Sequence, residues 1–192
     1  SINFMVVLEE ISTGILDAIG DALRKSKVQI ELLTLSEEDL RSSTDVFPIK
    51  FLDIKRNHVI YRGKDVMSDL EISRDNLRLR CEQEIKNLML RLRLNYVSRK
   101  QNSKSIASLL NRIYLSLIRN LGVLVELKSG DVLVTNSDII KGVGKLGIDI
   151  MALHDVEKLR QDNFSVELED RKRLLEKVMH CVRDAAAMAD KL

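Results

Sequence analysis

A lysine and an aspartate stand three residues apart, as Lys50 and Asp53, in the stretch DVFPIKFLDIKRNHVIYRG (residues 45–63). The stretch contains the only proline of the chain and ends at a glycine. Its apolar and β-branched residues on either side of a polar segment predict a strand, a turn and a second strand. Side chains alternate between the two faces of a strand, so this prediction places Lys50 and Asp53 on opposite faces. A carboxylate at such a position suits a hard divalent cation, whereas a lysine suits a phosphate group.

A second candidate for chemistry is the basic segment LRLRCEQEIKNLMLRLRLNYVSRK (residues 77–100), in which arginine alternates with leucine. Residues 78–104 contain eight basic and two acidic side chains, whereas residues 1–54 contain five basic and ten acidic ones. Such arginines usually cover apolar surface with their stems on a solvated helix face. The alternative is an electropositive surface for a triphosphate or an RNA end. The scarcity of aromatic residues disfavours sequence-specific reading of RNA.

The segment KGVGKLG (residues 141–147) has part of the pattern of a phosphate-binding loop. The full pattern requires a glycine at the position of Ile139. It also requires a serine or threonine at the position of Leu146, where the hydroxyl would reach magnesium. Because both positions differ, we interpret the segment as a turn between two helices with flexible glycines.

The histidines offer no metal-ligand spacing, because His58, His154 and His180 are far apart in the sequence. Arg173 and His180 are seven residues apart on one predicted helix, which is about two turns, so they can share a face. This pair is similar to the arginine–histidine pair of HEPN-type ribonucleases. A chance pair on a basic helix is the stronger interpretation.

The first third of the chain has the pattern of an α/β fold. The apolar run INFMVVL (residues 2–8) predicts a fully buried central strand. Apolar residues at helical spacing predict a helix from Ser12 to about Lys25, and VQIELLTL (residues 28–35) predicts a second strand. The acidic residues that follow Ser36 suit the beginning of a short helix.

After Gly63 the apolar residues recur at helical spacing almost to the end of the chain. Two long helices, two shorter ones and a last long one are predicted, with starts at Ser73, Ser103, Ser137, Asp149 and about Val166. Helices of this length with short connections indicate an antiparallel, up-and-down bundle. The boundary between the two parts is expected near residues 63–72.

Composition indicates an ordinary globular protein, with 45% hydrophobic and 31% charged residues and a net charge of +2. No apolar run approaches the length of a membrane span, and the N-terminus lacks the pattern of a signal peptide. We therefore expect a cytoplasmic protein without a membrane partner. The spacing of Cys81 and Cys181 suits neither a metal site nor a disulfide framework, so both are predicted to be buried free thiols.

The segments NFMVVLEEI, DVFPIKFLDIK and HVIYRGKD, followed by LRLRCEQEIKNLMLRLRLNYV, resemble the nucleotidyltransferase superfamily. The resemblance is to prokaryotic members with a small catalytic domain and a C-terminal helical bundle, and it is most specific over residues 45–95. It implies an α+β fold: a partial nucleotidyltransferase-like α/β domain (residues 1–68) followed by an antiparallel helical bundle (residues 69–192). It also implies a nucleoside triphosphate held by a Gly-Ser motif, and Mg²⁺ held by an Asp-x-Asp pair and a third carboxylate.

The chain departs from that family pattern at the residues that would carry the chemistry. No Gly-Ser motif precedes the first strand, and Asn3 falls where the second aspartate of the pair is expected. Ser1 and Ile2 occupy the preceding positions, so the first aspartate has no counterpart. The third carboxylate is expected near Lys50, and Asp53 is the nearest acidic residue. Asp53 is therefore the candidate catalytic residue, and a lysine at the expected metal position opposes the binding of magnesium.

The resulting hypothesis is a nucleotidyltransferase-related protein that is catalytically degenerate or incomplete and that retains nucleotide or phosphate binding. Its candidate nucleotide-binding residues are Asn3, Lys50, Arg91 and Arg93. The first alternative is a non-enzymatic protein-interaction or dimerisation module, and the apolar helix stripes are compatible with a homodimer. The second alternative is an active metal-dependent nucleotidyltransferase whose catalytic motif lies upstream of Ser1.

Overall fold

The computed structural model of the protein describes residues 2–98, 102–161 and 167–192. The chain divides into two compact units, one that ends at Ser73 and one that begins at Arg74. The first unit combines a small parallel sheet with helices, and the described elements of the second unit are all helices. The fold is therefore of the mixed α+β class that the sequence predicts, with much more helix than strand.

The sheet of the first unit consists of β1 (Ile2–Leu8) and β2 (Ile30–Ser36), which run parallel and are connected by α1 (Thr13–Lys25). A parallel pair needs such a crossover, and the structure confirms both strands and the helix. The prediction of a fully buried central strand is wrong. Ile2 is 52% exposed and no residue of β1 is buried, because among the described residues only β2 pairs with this strand.

Serine side chains cap the first two helices. The Ser12 hydroxyl accepts a hydrogen bond from the N–H of Ile15 at 3.4 Å. Ser36 and Asp39 form a capping box at the start of α2 (Glu37–Ser42). The N–H of Asp39 donates to the Ser36 hydroxyl at 2.9 Å, and the N–H of Ser36 donates to the Asp39 carboxylate at 3.0 Å. The bonds that Asp39 receives from the N–H and the hydroxyl of Ser36 lower the pKa of its carboxyl group.

A helix, α3 (Pro48–Asn57), stands where the sequence predicts a strand. Pro48 is its first residue, where a missing N–H costs nothing and the fixed φ of proline favours the helix. Phe51 is buried, and Ile54, one turn later, packs against the same core, so the apolar residues form one helical face. The second predicted strand, within residues 58–63, is wrong too, because that segment forms no strand.

A small core holds the first unit together. Its buried members come from α2, α3 and the loop that follows α3, and they are Leu40, Phe51, Met67 and Leu70. Met5 and Val7 of β1 and Leu35 of β2 pack against this core. Because Met5 and Val7 alternate with Phe4 and Val6 along the strand, only one face of the sheet is turned toward it.

The second unit contains five helices in its described residues. They are α4 (Arg74–Val97), α5 (Ser103–Ser129), α6 (Asn136–Lys145), α7 (Met151–Gln161) and α8 (Leu168–Ala189). The structure confirms these helices with shifted starts. Asn102, not Ser103, caps α5 by accepting from the N–H of Ser105 at 2.9 Å, and Thr135 caps α6. The predicted start at Val166 lies outside the described residues.

The α4 helix buries the apolar stripe that its sequence predicts, which consists of Leu77, Cys81, Ile85, Leu88 and Leu92. Tyr96, predicted as the last member of the stripe, is only partly buried. Cys81 and Cys181 are both buried and unpaired, as predicted.

The glycine-rich segment of residues 141–147 continues α6 through Lys145 instead of forming a turn throughout. A Cβ atom on Gly142 would lie 3.1 Å from Cγ1 of Val125, so this glycine allows α5 and α6 to approach closely. The turn comes at Gly147, whose φ of 84° is in the left-handed region. The interpretation of the whole segment as a flexible turn is therefore wrong.

Charged side chains connect α4 to its neighbours in the second unit. Arg74 donates to the carbonyl oxygen of Leu127 near the end of α5, at 2.5 Å. Lys86 forms an ion pair with Asp190 just after α8, at 2.6 Å. No helix within the described residues has both the length and the apolar composition that crossing a membrane requires.

Candidate functional site

Lys50 lies in the first turn of α3, as the third residue of the helix. Its side chain is exposed and forms no hydrogen bond or ion pair with any residue that the structure describes. Phe47, which precedes the helix, provides no side-chain cap for the N–H groups of the first turn. The charge of Lys50 therefore lies on the same turn as the positive end of the helix dipole, although Pro48 and Ile49 of this turn are buried.

Asp53 follows three residues after Lys50 on the same helix, so the two lie on neighbouring sides of α3. The predicted placement on opposite faces of a strand is wrong. The side-chain amide of Asn57 donates to the Asp53 carboxylate at 3.1 Å and to its carbonyl oxygen at 3.0 Å. Within the described residues no hydrogen bond or ion pair joins Asp53 to Lys50 or to Asn3.

Asn3 lies on β1 directly opposite Glu31 of β2, and both residues are exposed. Residues paired directly across a ladder face the same side of the sheet. The position that the family resemblance assigns to a catalytic aspartate therefore holds an amide beside the carboxylate of the neighbouring strand. Carboxylates are the preferred ligands of magnesium, so this amide is a weaker one.

A magnesium centre needs several converging oxygen ligands. Across residues 2–98, 102–161 and 167–192, no group of three or more histidine, cysteine, aspartate or glutamate side chains is placed to hold a metal ion. Asn3 and Lys50 stand where the resemblance implies carboxylates. The binding of magnesium, which the resemblance implies, stays a prediction.

Arg91 and Arg93 are both exposed on α4. A helix turns by about 100° per residue, so Arg91 and Arg93, which are two residues apart, are separated by about 200° around the helix axis. Leu92 between them is buried, and the two arginines lie on opposite flanks of the exposed side of the helix. The structure does not direct them at one shared ligand, and their role in nucleotide binding stays a prediction.

Arg173 and His180 are both exposed on α8, but each contacts another neighbour. Arg173 pairs with Asp170 at 3.7 Å, and Nδ1 of His180 lies 2.6 Å from a guanidinium nitrogen of Arg183. No bond joins Arg173 to His180 in the part of the chain that the structure describes. The geometry gives no support to a ribonuclease-like pair.

A polar cluster around Asp65 is the feature that the sequence reasoning missed. Its Oδ1 accepts hydrogen bonds from the N–H of Met67 at 3.0 Å, from the N–H of Ser68 at 3.1 Å, and from Nε2 of His58 at 3.1 Å. Burial by itself would raise the pKa of Asp65, but the bonds from Ser68, His58 and Met67 lower it below its ordinary value.

Lys55 adds two more bonds to the same loop, to the carbonyl oxygens of Ser68 at 3.0 Å and Leu70 at 2.7 Å. Together His58 and Lys55 fasten the loop of residues 65–70 to the end of α3. An aspartate whose side chain bonds to the N–H two and three residues later is a common turn motif, so D-V-M-S was the available sequence signal. These polar groups bond to one another, which indicates a structural role.

Comparison with known proteins finds no family model, no curated protein and no solved structure that matches this chain. The resemblance to nucleotidyltransferases therefore stays a prediction from the sequence.

Proposed function

We propose that the chain is a nucleotidyltransferase-related protein that binds the phosphates of a nucleotide without a metal ion and does not transfer a nucleotide. The observation that carries this proposal is Lys50, which is exposed in the first turn of α3 and has no partner among the described residues. The family pattern places a metal-binding carboxylate near that position on a strand, whereas Lys50 lies on a helix in this protein.

The chemistry of this helix start suits a phosphate. A helix N-terminus has a partial positive charge that favours an anion, although at the start of α3 Pro48 has no N–H and the N–H of Phe47 bonds to the carbonyl oxygen of Ser43. Lys50 adds a full positive charge on the same turn, whereas the carboxylate of Asp53 is engaged by Asn57. A lysine ammonium binds phosphate as a point charge and needs no metal ion for it.

The proposal includes the architecture that the resemblance implies, with an antiparallel helical bundle after the α/β domain. The crossover from β1 through α1 to β2 supports the α/β part. Arg74, at the start of α4, contacts Leu127 near the end of α5, and the thiol of Cys81 donates to the carbonyl oxygen of Asn120 at 3.5 Å. Positions that ascend along α4 thus meet positions that descend along α5, as in an antiparallel pair.

The test is calorimetric titration with ATP and the other nucleoside triphosphates, with magnesium and then with EDTA. We expect nucleotide binding that persists in EDTA. Lys50→Ala should weaken this binding about tenfold or more, because it removes one charge-assisted hydrogen bond. Lys64→Ala is the matched control, because Lys64 is exposed in the same unit and forms no bond within the described residues.

Two results contradict the proposal. Binding that requires magnesium would favour the active enzyme whose metal ligands precede Ser1. Absence of binding in both conditions would remove the nucleotide function and leave the interaction module.

A non-enzymatic interaction module is the second candidate, and the surface of α1 favours it. The helix is strongly amphipathic and yet has no buried residue, with Ile15 and Leu16 37% and 44% exposed. Sedimentation over a range of concentrations tests the dimer form of this function. We expect a dimer that Leu16→Asp dissociates and that Asp17→Asn, on an exposed neighbouring position, leaves intact. A monomer at every concentration contradicts it.

A further inference from the structure

Helix α4 has a second apolar stripe, separate from the one that it buries. Leu90, Leu94 and Val97 are 58%, 66% and 77% exposed. Their spacing of four and three residues puts them on one side of the helix, within a length of about 10 Å. We call these three residues the outer stripe.

Arg91 and Arg93 border the outer stripe on its two sides. At about 100° per residue, Arg91 projects on one flank of Leu94 and Arg93 on the other. Neither guanidinium group forms an ion pair with a residue that the structure describes. The sequence from Leu88 to Ser98 contains no acidic residue. This surface is therefore apolar along its centre and positively charged along both edges.

In the first half of α4, basic side chains pair with acidic side chains of the same helix. Arg78 and Lys86 pair with Glu82 at 4.0 and 2.7 Å, and Arg80 pairs with Glu84 at 2.6 Å. The second half has the same alternation of arginine and leucine without the glutamates. The second half therefore keeps a positive charge that no acidic residue of its own offsets.

We propose that the outer stripe, with Arg91 and Arg93, is a docking surface for an acidic amphipathic helix of a partner protein. The apolar face of that helix covers the outer stripe, and its aspartate or glutamate side chains on both flanks pair with the arginines. This is the arrangement of a helix seam with charged edges. The positive charge of the two arginines favours a negatively charged partner. The narrow apolar stripe suits the single apolar face of a helix.

Other ligands satisfy only part of this surface. A triphosphate or an RNA backbone engages arginines but gains nothing from three apolar side chains between them. A second copy of α4 would cover the stripe but would bring further arginines to a half of the helix that has no acidic residue of its own. An acidic amphipathic helix satisfies both the charge and the apolar area.

The probe is a labelled synthetic helix of about 20 residues with leucine at positions i, i+4 and i+7 and glutamate on both flanks. One matched peptide has lysine in place of glutamate, and another has serine in place of leucine. Binding to the full chain is measured by fluorescence anisotropy. We expect saturable binding of the acidic amphipathic peptide and at least about tenfold weaker binding of both matched peptides.

Variants of the protein make the test specific to this surface. Leu94→Gln, and the double variant Arg91→Glu with Arg93→Glu, are each expected to weaken binding of the acidic peptide at least about tenfold. Val134→Gln, at an 80% exposed position, and Lys145→Glu on α6 are the matched controls and are expected to bind unchanged. Circular dichroism checks that each variant keeps its fold.

Several results would overturn the proposal. They are equal binding of the lysine peptide, equal binding of the serine peptide, and binding that the double variant leaves unchanged. A dimer in sedimentation that Leu94→Gln dissociates would also overturn it, because a second copy would then be the occupant. Nucleotide binding at Lys50 is measured separately, so failure of one proposal does not decide the other.

Discussion

The ring of His58 lies 3.1 Å from the carboxylate of Asp65, measured between Nε2 and Oδ1. Its Nδ1 faces the carbonyl oxygens of Ile54 and Lys55, at 3.2 and 3.0 Å. The carbonyl oxygens and the carboxylate are all hydrogen-bond acceptors, so both ring nitrogens of His58 face acceptors. His58 therefore connects the last turn of α3 to the loop that begins at Asp65.

The first unit should lose stability at acidic pH, when Asp65 becomes protonated. Burial opposes its ionisation, but its hydrogen bonds from Ser68, His58 and Met67 leave the pKa lower than the ordinary 3.8. A carboxyl group with a lowered pKa in the folded state stabilises the fold above its ordinary pKa, and this contribution is lost as the pH falls. In urea unfolding, we expect wild-type stability to fall below about pH 4, and Asp65→Asn to be less stable already at neutral pH.

The matched control for this prediction is Asp45→Asn, because Asp45 is exposed and has no partner within the described residues. Hydrogen exchange of peptides that cover α3 assigns the change to the first unit. An Asp65→Asn variant with the wild-type urea midpoint at neutral pH would show that the cluster does not stabilise the loop.

Lys55→Met should weaken the attachment of the same loop from its other end. The substitution removes the donors to Ser68 and Leu70 while it keeps most of the apolar stem. We expect a loss of about 1–2 kcal/mol in the free energy of unfolding of the first unit. Lys64→Met, at an exposed position, is expected to stay within about 0.5 kcal/mol of wild type in the same urea experiment. Equal losses in the two variants would contradict this role of Lys55.

The elements of this protein that were predictable are those with strong local signals. Ser12 and Ser36 cap helices because their hydroxyl groups accept from N–H groups three residues later, and this depends only on local sequence. The buried stripe of α4 was predictable because a long helix repeats its apolar spacing over several turns.

The segment around Lys50 shows where sequence reasoning failed. A run as short as IKFLDI is compatible with either a strand or a helix, because its apolar residues fit both spacings. Burial of Phe51 against Leu40 and Met67, which are distant in sequence, decides for the helix. The predicted placement of Lys50 and Asp53 on opposite faces assumed a strand. In a helix the same two residues lie on neighbouring sides.

Gly130→Ala should destabilise the second unit through the end of α5. Gly130 ends that helix with φ of 81°, in the left-handed region, and its N–H bonds to the carbonyl oxygen of Glu126. A Cβ atom meets no other atom there, so the cost is conformational alone. We expect a loss of about 1 kcal/mol in thermal or urea unfolding, and a smaller loss for Gly130→Asn, because asparagine tolerates this conformation better. Equal losses for alanine and asparagine would contradict the assignment to backbone conformation.

Cys81 and Cys181 should be inert in the folded protein. Burial, aided by the charge of Glu82, raises the pKa of Cys81 to about 12, and burial with the charges of Asp184 and Asp149 raises that of Cys181 to about 12. Because the thiolate is the reactive form, alkylation near pH 8 should be at least about 100-fold slower than for a free cysteine. In guanidinium chloride both thiols should be alkylated at the rate of a free cysteine. Mass spectrometry of the single variants Cys81→Ala and Cys181→Ala shows which cysteine each alkylation phase belongs to. Rapid labelling of either cysteine in the folded chain would mean that its helix opens locally, since the closed structure exposes neither thiol.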